Sequence, residues 1–225
     1  MDDPSTNPFE QETEPLESRI TIGLAKIGLA LKTNAWREAE REGLSPTQGE
    51  ILALLAAKSR LRPSAVADSL AIKRPTATES INALDRKGLI EKRSDPADNR
   101  ATTLVLTRAG RAAARRIAHW PDFMMSAMAV LGTAEQAVFH RAILKLIRTL
   151  QVRGEIPVSR MCLSCRFFRA NAHDNTDTPH HCAFVDAPFG ERHLRIDCND
   201  HETADPTLEH TNWMAFIAGD MESGA

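Results

Sequence analysis

The segment from Pro63 to Gly110, PSAVADSLAIKRPTATESINALDRKGLIEKRSDPADNRATTLVLTRAG, constrains the fold more than any other part of the chain. Two short helical patterns open it, and an apolar strand start follows at Leu89 and Ile90. The turn-rich, charged SDPADNR comes next, then the alternating strand TTLVL. Helix, helix and hairpin in that order suit a winged helix-turn-helix, in which one helix enters the DNA major groove and the hairpin touches the flanking backbone. The expected function is sequence-specific DNA binding.

Charge agrees with this reading, although the net charge of −2 conceals it. From Leu44 to Trp120 there are 14 Lys/Arg against 7 Asp/Glu, whereas Met161 to Ala225 carries 4 against 11. A basic centre with acidic flanks fits a polyanion-binding domain with non-binding extensions. Residues 1–15 are acidic and lack both the basic start and the apolar core of a secretory signal, so they are expected to form a disordered leader. No apolar run approaches a membrane span, and the chain is expected to be cytoplasmic with no membrane partner.

Helical periodicity organises the rest. Leu16 to Arg41 places Ile20, Leu24, Ile27, Leu31 and Trp36 at helical spacing, with Gly43 at the C-cap. Ser45 caps a second helix that starts at Pro46 and buries Ile51, Leu52, Leu54 and Leu55. Pro63 opens a third helix with Val66, Ala67 and Leu70 inward. Pro75 opens a fourth, with Ala77, Ile81 and Leu84 as its core stripe and Gly88 as its end. Thr107 caps a fifth, which Pro121 should kink or break. A sixth starts at Thr133, with Val138, Ile143, Leu146, Ile147 and Leu150 on its apolar side. The first, fifth and sixth helices carry more apolar surface than one winged lobe needs, and a two-fold dimer uses it. Gly154 and Pro157 mark a boundary, so the expected domains are 16–153 and a cysteine-rich extension at 154–225.

LSPTQGEILALLA, VADSLAIKRPTATESINALDRKGLIEKR and DPADNRATTLVLTRAG resemble the multiple-antibiotic-resistance regulator (MarR) family in order and spacing. The resemblance spans roughly Leu16 to Val152, and D-x-x-D-x-R followed by L-x-L-T-x-x-G is its strongest part. It implies an obligate dimer of winged-helix lobes, usually a repressor that leaves DNA when a signal arrives, often a small ligand. Pro75 stands where the family commonly has a small polar residue, which leaves base preference open.

Physical chemistry assigns roles beside the resemblance. Thr76, Thr78, Glu79 and Ser80 are expected on the non-core faces of the fourth helix near its N-terminus, where hydroxyls and free N–H groups meet phosphates or base edges. Lys73 and Arg74 precede them as phosphate clamps or base readers. Arg100 on the wing suits a narrow minor groove, and Asp98 is expected to hold its guanidinium in a bidentate pair. The expected partner is double-stranded DNA with a pseudo-palindromic operator, bound by a homodimer.

All four cysteines lie beyond this region, spaced C-x2-C-x16-C-x15-C at Cys162, Cys165, Cys182 and Cys198. One close pair and two distant thiolates can surround a single metal centre. The segment's poverty in apolar residues predicts little regular structure and a metal as its staple. The fold expected is therefore mainly α: a winged helix-turn-helix with a β-hairpin wing, a helical dimerisation layer and an irregular, metal-stapled C-terminal extension.

Two metals compete. Structural zinc often uses two close cysteine pairs, and here there is one, with His181 and His201 as alternative ligands. C-x2-C-x-F-F, then C-x-F and a last Cys, resembles the ligand framework of high-potential iron–sulfur proteins over about forty residues, without the aromatic-flanked glycine usual before the last cysteines. The resemblance implies an iron–sulfur cluster, four-iron by its ligand count, with zinc as the alternative. No nucleophile motif or phosphate loop is present, and four cysteines fill the metal shell, so the chain is not expected to be an enzyme. The function expected is a dimeric repressor whose cluster senses redox state or iron. Its rivals are a ligand-responsive repressor with a zinc-stapled tail and a DNA-tethered electron-transfer domain.

Overall fold

The computed structural model describes residues 13–95, 98–118 and 122–219. Most of the acidic leader, the wing tip at 96–97 and Pro121 lie outside the described residues. The chain divides into two compact units between Ala127 and Met128.

The first unit contains α1 (Leu16–Arg41), α2 (Pro46–Lys58), α3 (Pro63–Ser69), α4 (Arg74–Arg86), β1 (Ile90–Asp95), β2 (Asp98–Leu106) and α5 (Arg108–Ile117). Local chemistry sets these boundaries. Ser45 accepts from the Gln48 backbone N–H while the Gln48 side chain accepts from the Ser45 N–H, a reciprocal capping box before Pro46. α4 ends at Gly88, whose φ of +66° lies in the left-handed region that a glycine adopts without strain. The antiparallel β1–β2 hairpin then pairs Ile90 with Leu106 and Lys92 with Leu104, with a bulge at Ser94/Asp95.

The core of this unit joins Ile51, Leu52 and Leu55 of α2 to Val66 and Ala67 of α3 and to Ala77, Ile81 and Leu84 of α4. Ile90, Leu104, Ala113 and Ile117 complete it. Full burial of each large aliphatic side chain contributes about 1.5–3 kcal/mol, which fixes α4 by one face and leaves its opposite face to solvent. α1 differs. Leu16, Ile20, Leu24, Ile27, Leu29, Leu31 and Trp36 are all exposed within the single chain, with Leu29 at 65%.

The second unit contains α7 (Thr133–Val152), β3 (Phe168–Arg169), β4 (His180–Cys182), β5 (Ala187–Phe189) and α8 (Pro206–Ala218); a short α6 (Asp122–Met128) spans the division. The three strands form an antiparallel sheet in the order β3-β4-β5. The extension, expected from its composition to be irregular, thus contains a sheet and a helix, and it has an apolar core. Met161, Leu163, Phe168, Leu194 and Phe216 pack with Leu144 of α7. Buried Asn212 of α8 donates to the Phe168 carbonyl at 2.8 Å and accepts from the Ala170 N–H at 3.2 Å, so it ties helix to sheet.

This packing changes the reading of α7. Its fully buried residue is Leu144, whereas Val138 and Leu146, expected on the apolar side, are exposed. The expected boundary at 153/154 falls inside the second unit, because α7 and the cysteine-rich segment share one core. α8 was not anticipated; its signal was Asp205-Pro206, an N-cap acceptor followed by a proline at the first helical positions.

Candidate DNA interface and cysteine pocket

The solvent face of α4 carries Arg74, Pro75, Thr78, Glu79, Asn82 and Arg86, which line one open hollow along the helix. Lys73 is the N-cap residue and is exposed with Arg74 and Thr76. The Thr78 hydroxyl donates to the Arg74 carbonyl at 2.9 Å, so its oxygen remains an acceptor toward solvent. Ser80 departs from expectation. It is buried, because it lies one turn from Ala77 and Leu84 on the core side. Asn82 and Arg86 were overlooked, although they continue the Arg74–Thr78 face at four-residue steps. Lys92 of β1 donates to Asn82 Oδ1 at 2.7 Å and pairs with Asp85 at 3.1 Å, so the wing strand buttresses this helix.

The hairpin is held at the turn end of β1. Arg62, just before α3, holds the Asp95 carboxylate through Nε and Nη2, each at 2.8 Å. Asp98 does not clamp the Arg100 guanidinium. Its Oδ1 accepts from the Arg100 backbone N–H at 3.1 Å, a local turn bond that a short carboxylate two residues upstream makes readily. Arg100 itself is exposed. A positive helix terminus, exposed cations on one helix face and an arginine on a hairpin can together engage a polyanion with groove-sized relief.

In the second unit the four cysteines, far apart in sequence, line one cavity of about 180 Å³. Cys162 opens the 3-10 turn Cys162–Ser164 and Cys165 follows it, Cys182 ends β4, and Cys198 lies in the loop before α8. Phe167, Phe184, Pro188 and Phe189 make the remaining wall largely apolar. All four thiols are free of disulfides. Burial pushes the Cys162 thiol up to about 11, against the Arg195 N–H that bonds its sulfur; the nearby Cys198, Cys165 and Cys182 add to the rise.

The histidines weighed as alternative ligands are committed elsewhere. His181 sits beside Cys182 on β4, where successive side chains take opposite faces, and it engages His173 at 3.2 Å and Asp186 at 3.3 Å. His201 Nε2 lies 3.1 Å from the Ser164 hydroxyl. Among the described residues no three His, Cys, Asp or Glu side chains converge tightly enough to hold a single metal ion.

Sequence reasoning missed His180. It is fully buried, accepts from the Asn171 N–H at 3.2 Å and meets Glu191 Oε1 at 3.0 Å. Burial, with Arg141 nearby, lowers it to about 4, so the ring is neutral and its Nε2–H donates to the carboxylate. Arg141 of α7 also bonds Glu191 and lies 4.0 Å over the Phe216 ring. No sequence pattern distinguishes this histidine from its partly exposed neighbour His181.

Residues 44–102 match the model of the MarR family. No curated protein sequence matches the chain. Among solved structures, a MarR family transcription regulator is 23% identical with a TM-score of 0.57, and the match covers 66% of this chain and 99% of that one. The Staphylococcus aureus MepR–DNA complex is 23% identical with a TM-score of 0.52, covering 58% of this chain and 97% of that one. NadR in complex with 4-hydroxyphenylacetate is 24% identical with a TM-score of 0.49, covering 60% and 96%. The first two share the winged-helix fold with this chain. The family match ends before the cysteine-rich segment, and nothing in these likenesses supports a relation of that segment to high-potential iron–sulfur proteins. No helix among the described residues is long and apolar enough to cross a membrane.

Proposed function

We propose that this MarR-type DNA-binding transcriptional regulator acts as a two-fold dimer on a pseudo-palindromic operator, and that an iron–sulfur cluster held by Cys162, Cys165, Cys182 and Cys198 governs its grip. Regulators of the MarR family are not enzymes, and the proposal assigns the chain no catalysis. The DNA-facing side chains are Lys73, Arg74, Thr76, Thr78 and Glu79, with Asn82 and Arg86 continuing the face and Arg100 reaching from the wing. Asp98 acts indirectly, by shaping the turn that carries Arg100. The apolar row on α1 is the natural seat for the second copy, since burying it offsets its exposure to water. Two copies then present recognition helices for half-sites about 34 Å apart. A repressor working this way occupies the cytoplasm.

One observation carries the cluster reading: four cysteines spread from position 162 to 198 line a single cavity. Zinc is the alternative. A Zn–S bond of about 2.3 Å sets tetrahedral thiolates about 3.8 Å apart, a convergence absent from the described residues. A four-iron cluster is larger than an ion and holds its thiolates farther apart. Cluster binding requires the buried Cys162 thiol to lose its proton, so loading is favoured by rising pH.

The test begins with anaerobic purification of the full chain and measurement of iron, acid-labile sulfide and visible absorbance. Operator is then titrated with cluster-loaded, cluster-free and oxidised protein at fixed salt. The proposal expects affinities that differ between states; equal affinities in all three remove the sensor role.

A second reading, release by a small ligand, rests on the hollow lined by Leu31, Lys32, Trp36, Glu50 and Phe123. Its apolar wall and two opposite charges suit an amphipathic molecule, and burial holds the Glu50 carboxyl above its ordinary value.

A further inference from the structure

One residue reaches two of the four thiols. The Arg195 backbone N–H donates to Cys162 Sγ at 3.2 Å, and its guanidinium Nη1 donates to Cys198 Sγ at 3.5 Å. The Cys162 N–H in turn donates to the Arg195 carbonyl at 3.0 Å, so main chain on both sides holds Arg195 against the cavity. Asp200 is the carboxylate lining that cavity, and Arg195 and His193 are its basic residues. Arg160, two residues before Cys162, is committed to Asp197 at 2.7 Å and Asn199 at 3.2 Å, and Arg166, just after Cys165, to Glu202 at 2.8 Å. Among the described residues, Arg195 carries the guanidinium that bonds a cysteine sulfur.

We infer that Arg195 is a positioning residue for the cysteine centre, and that its two N–H···S hydrogen bonds and positive charge raise the reduction potential of the cluster bound there. The inference rests on the cluster reading above. Four thiolates around an iron–sulfur core leave a net negative charge, and adding one electron makes it more negative. Donors and cations at the sulfurs stabilise the reduced form more than the oxidised form, which is how protein hydrogen bonds and charge set such potentials. The guanidinium is exposed, so solvent screens part of its effect. The backbone donor persists whatever side chain stands at 195. The side chain's share can therefore be removed while the Cys162 bond remains.

The experiment reconstitutes the full chain anaerobically with ferrous iron and sulfide, as wild type, Arg195→Gln and Arg195→Lys. Iron and sulfide content are measured first, and the midpoint potential is then followed by visible absorbance during dithionite titration with mediators. Wild-type protein that takes up no sulfide overturns the cluster reading and the inference with it. With clusters in place, the expected order of potentials is wild type, then Lys, then Gln. The Gln variant should shift the one-electron equilibrium by about threefold to tenfold, a tenfold shift being about 59 mV. A Gln potential equal to wild type overturns the inference alone. If Arg195→Gln holds no cluster, Arg195→Lys decides: it keeps the charge without the planar fork, and a potential equal to wild type overturns the inference.

Discussion

A Cβ built on Gly110 would lie 1.8 Å from the carbonyl oxygen of Leu89. The same carbonyl accepts from the Thr107 N–H at 3.1 Å, and the Thr107 hydroxyl caps α5 by accepting from the Gly110 N–H at 2.9 Å. The T-x-x-G that closes the wing motif is thus one close approach: threonine caps the helix while glycine lets that helix touch the base of β1. Gly110→Ala should separate α5 from the hairpin and destabilise the first unit by about 1–3 kcal/mol, the usual range for overpacking. Chemical denaturation followed by circular dichroism measures it, and an unchanged midpoint refutes the close approach.

The wing should matter through charge. Arg100→Ala is expected to weaken operator binding and to reduce the slope of log affinity against log salt by roughly 1 per wing, while the dimer persists. Fluorescence anisotropy at several salt concentrations, with sedimentation as the control, reads both. An unaltered slope would take Arg100 out of the interface.

Arg62→Ala tests whether the wing must be held rather than merely present. Its pair with Asp95 has a half-exposed arginine, so loss of the pair should cost about 0–1 kcal/mol of stability. Operator affinity should fall severalfold, because the hairpin then pays an ordering cost on binding. Affinity equal to wild type would mean that the hairpin is rigid without Arg62.

Leu144→Ala should destabilise the second unit by about 2–5 kcal/mol, since the side chain is fully buried against the cysteine-rich segment. Deletion from Met161 onward uncovers Leu144 and Ile147 together and should melt α7 or drive aggregation. A soluble deletion variant with α7 helicity intact would show that this core is dispensable.

Metal removal should leave the second unit folded. Leu144, Leu163, Phe168 and Phe216 and the Asn212 bonds hold its core by apolar packing and hydrogen bonding, and the proposed ligand Cys165 is one buried member among them. Each single Cys→Ser change at 162, 165, 182 or 198 should lose most of the bound iron and abolish any dependence of DNA affinity on redox state. The far-UV circular dichroism spectrum should stay close to that of the loaded protein. Collapse of helicity on chelation would restore the metal as the unit's staple.

Short-range chemistry made much of the first unit legible in the sequence. Ser45, Pro46, Pro63, Thr107 and the glycines after helices act within a turn of their own position, and the Ala77–Ile81–Leu84 stripe repeats within one helix. Such signals need no knowledge of distant partners. The wing carbonyl that meets Gly110 and the Arg62–Asp95 pair join residues more than twenty positions apart, and no local pattern announces them.

The candidate sites divide the same way. Sequence alone determined that a basic helix and hairpin stand together and that four thiols belong to one segment. Only the tertiary structure decided that Ser80 is buried, that Asp98 binds backbone rather than guanidinium, and that His181 and His201 have other partners. It also decided that Leu144, not Leu146, meets a core, because which face of a helix is buried depends on what covers it. The cover is the cysteine-rich segment, whose few apolar residues gather from distant turns, a strand and α8. Composition averages over such residues and hides them; packing brings them together, since a shared core removes their apolar surface from water.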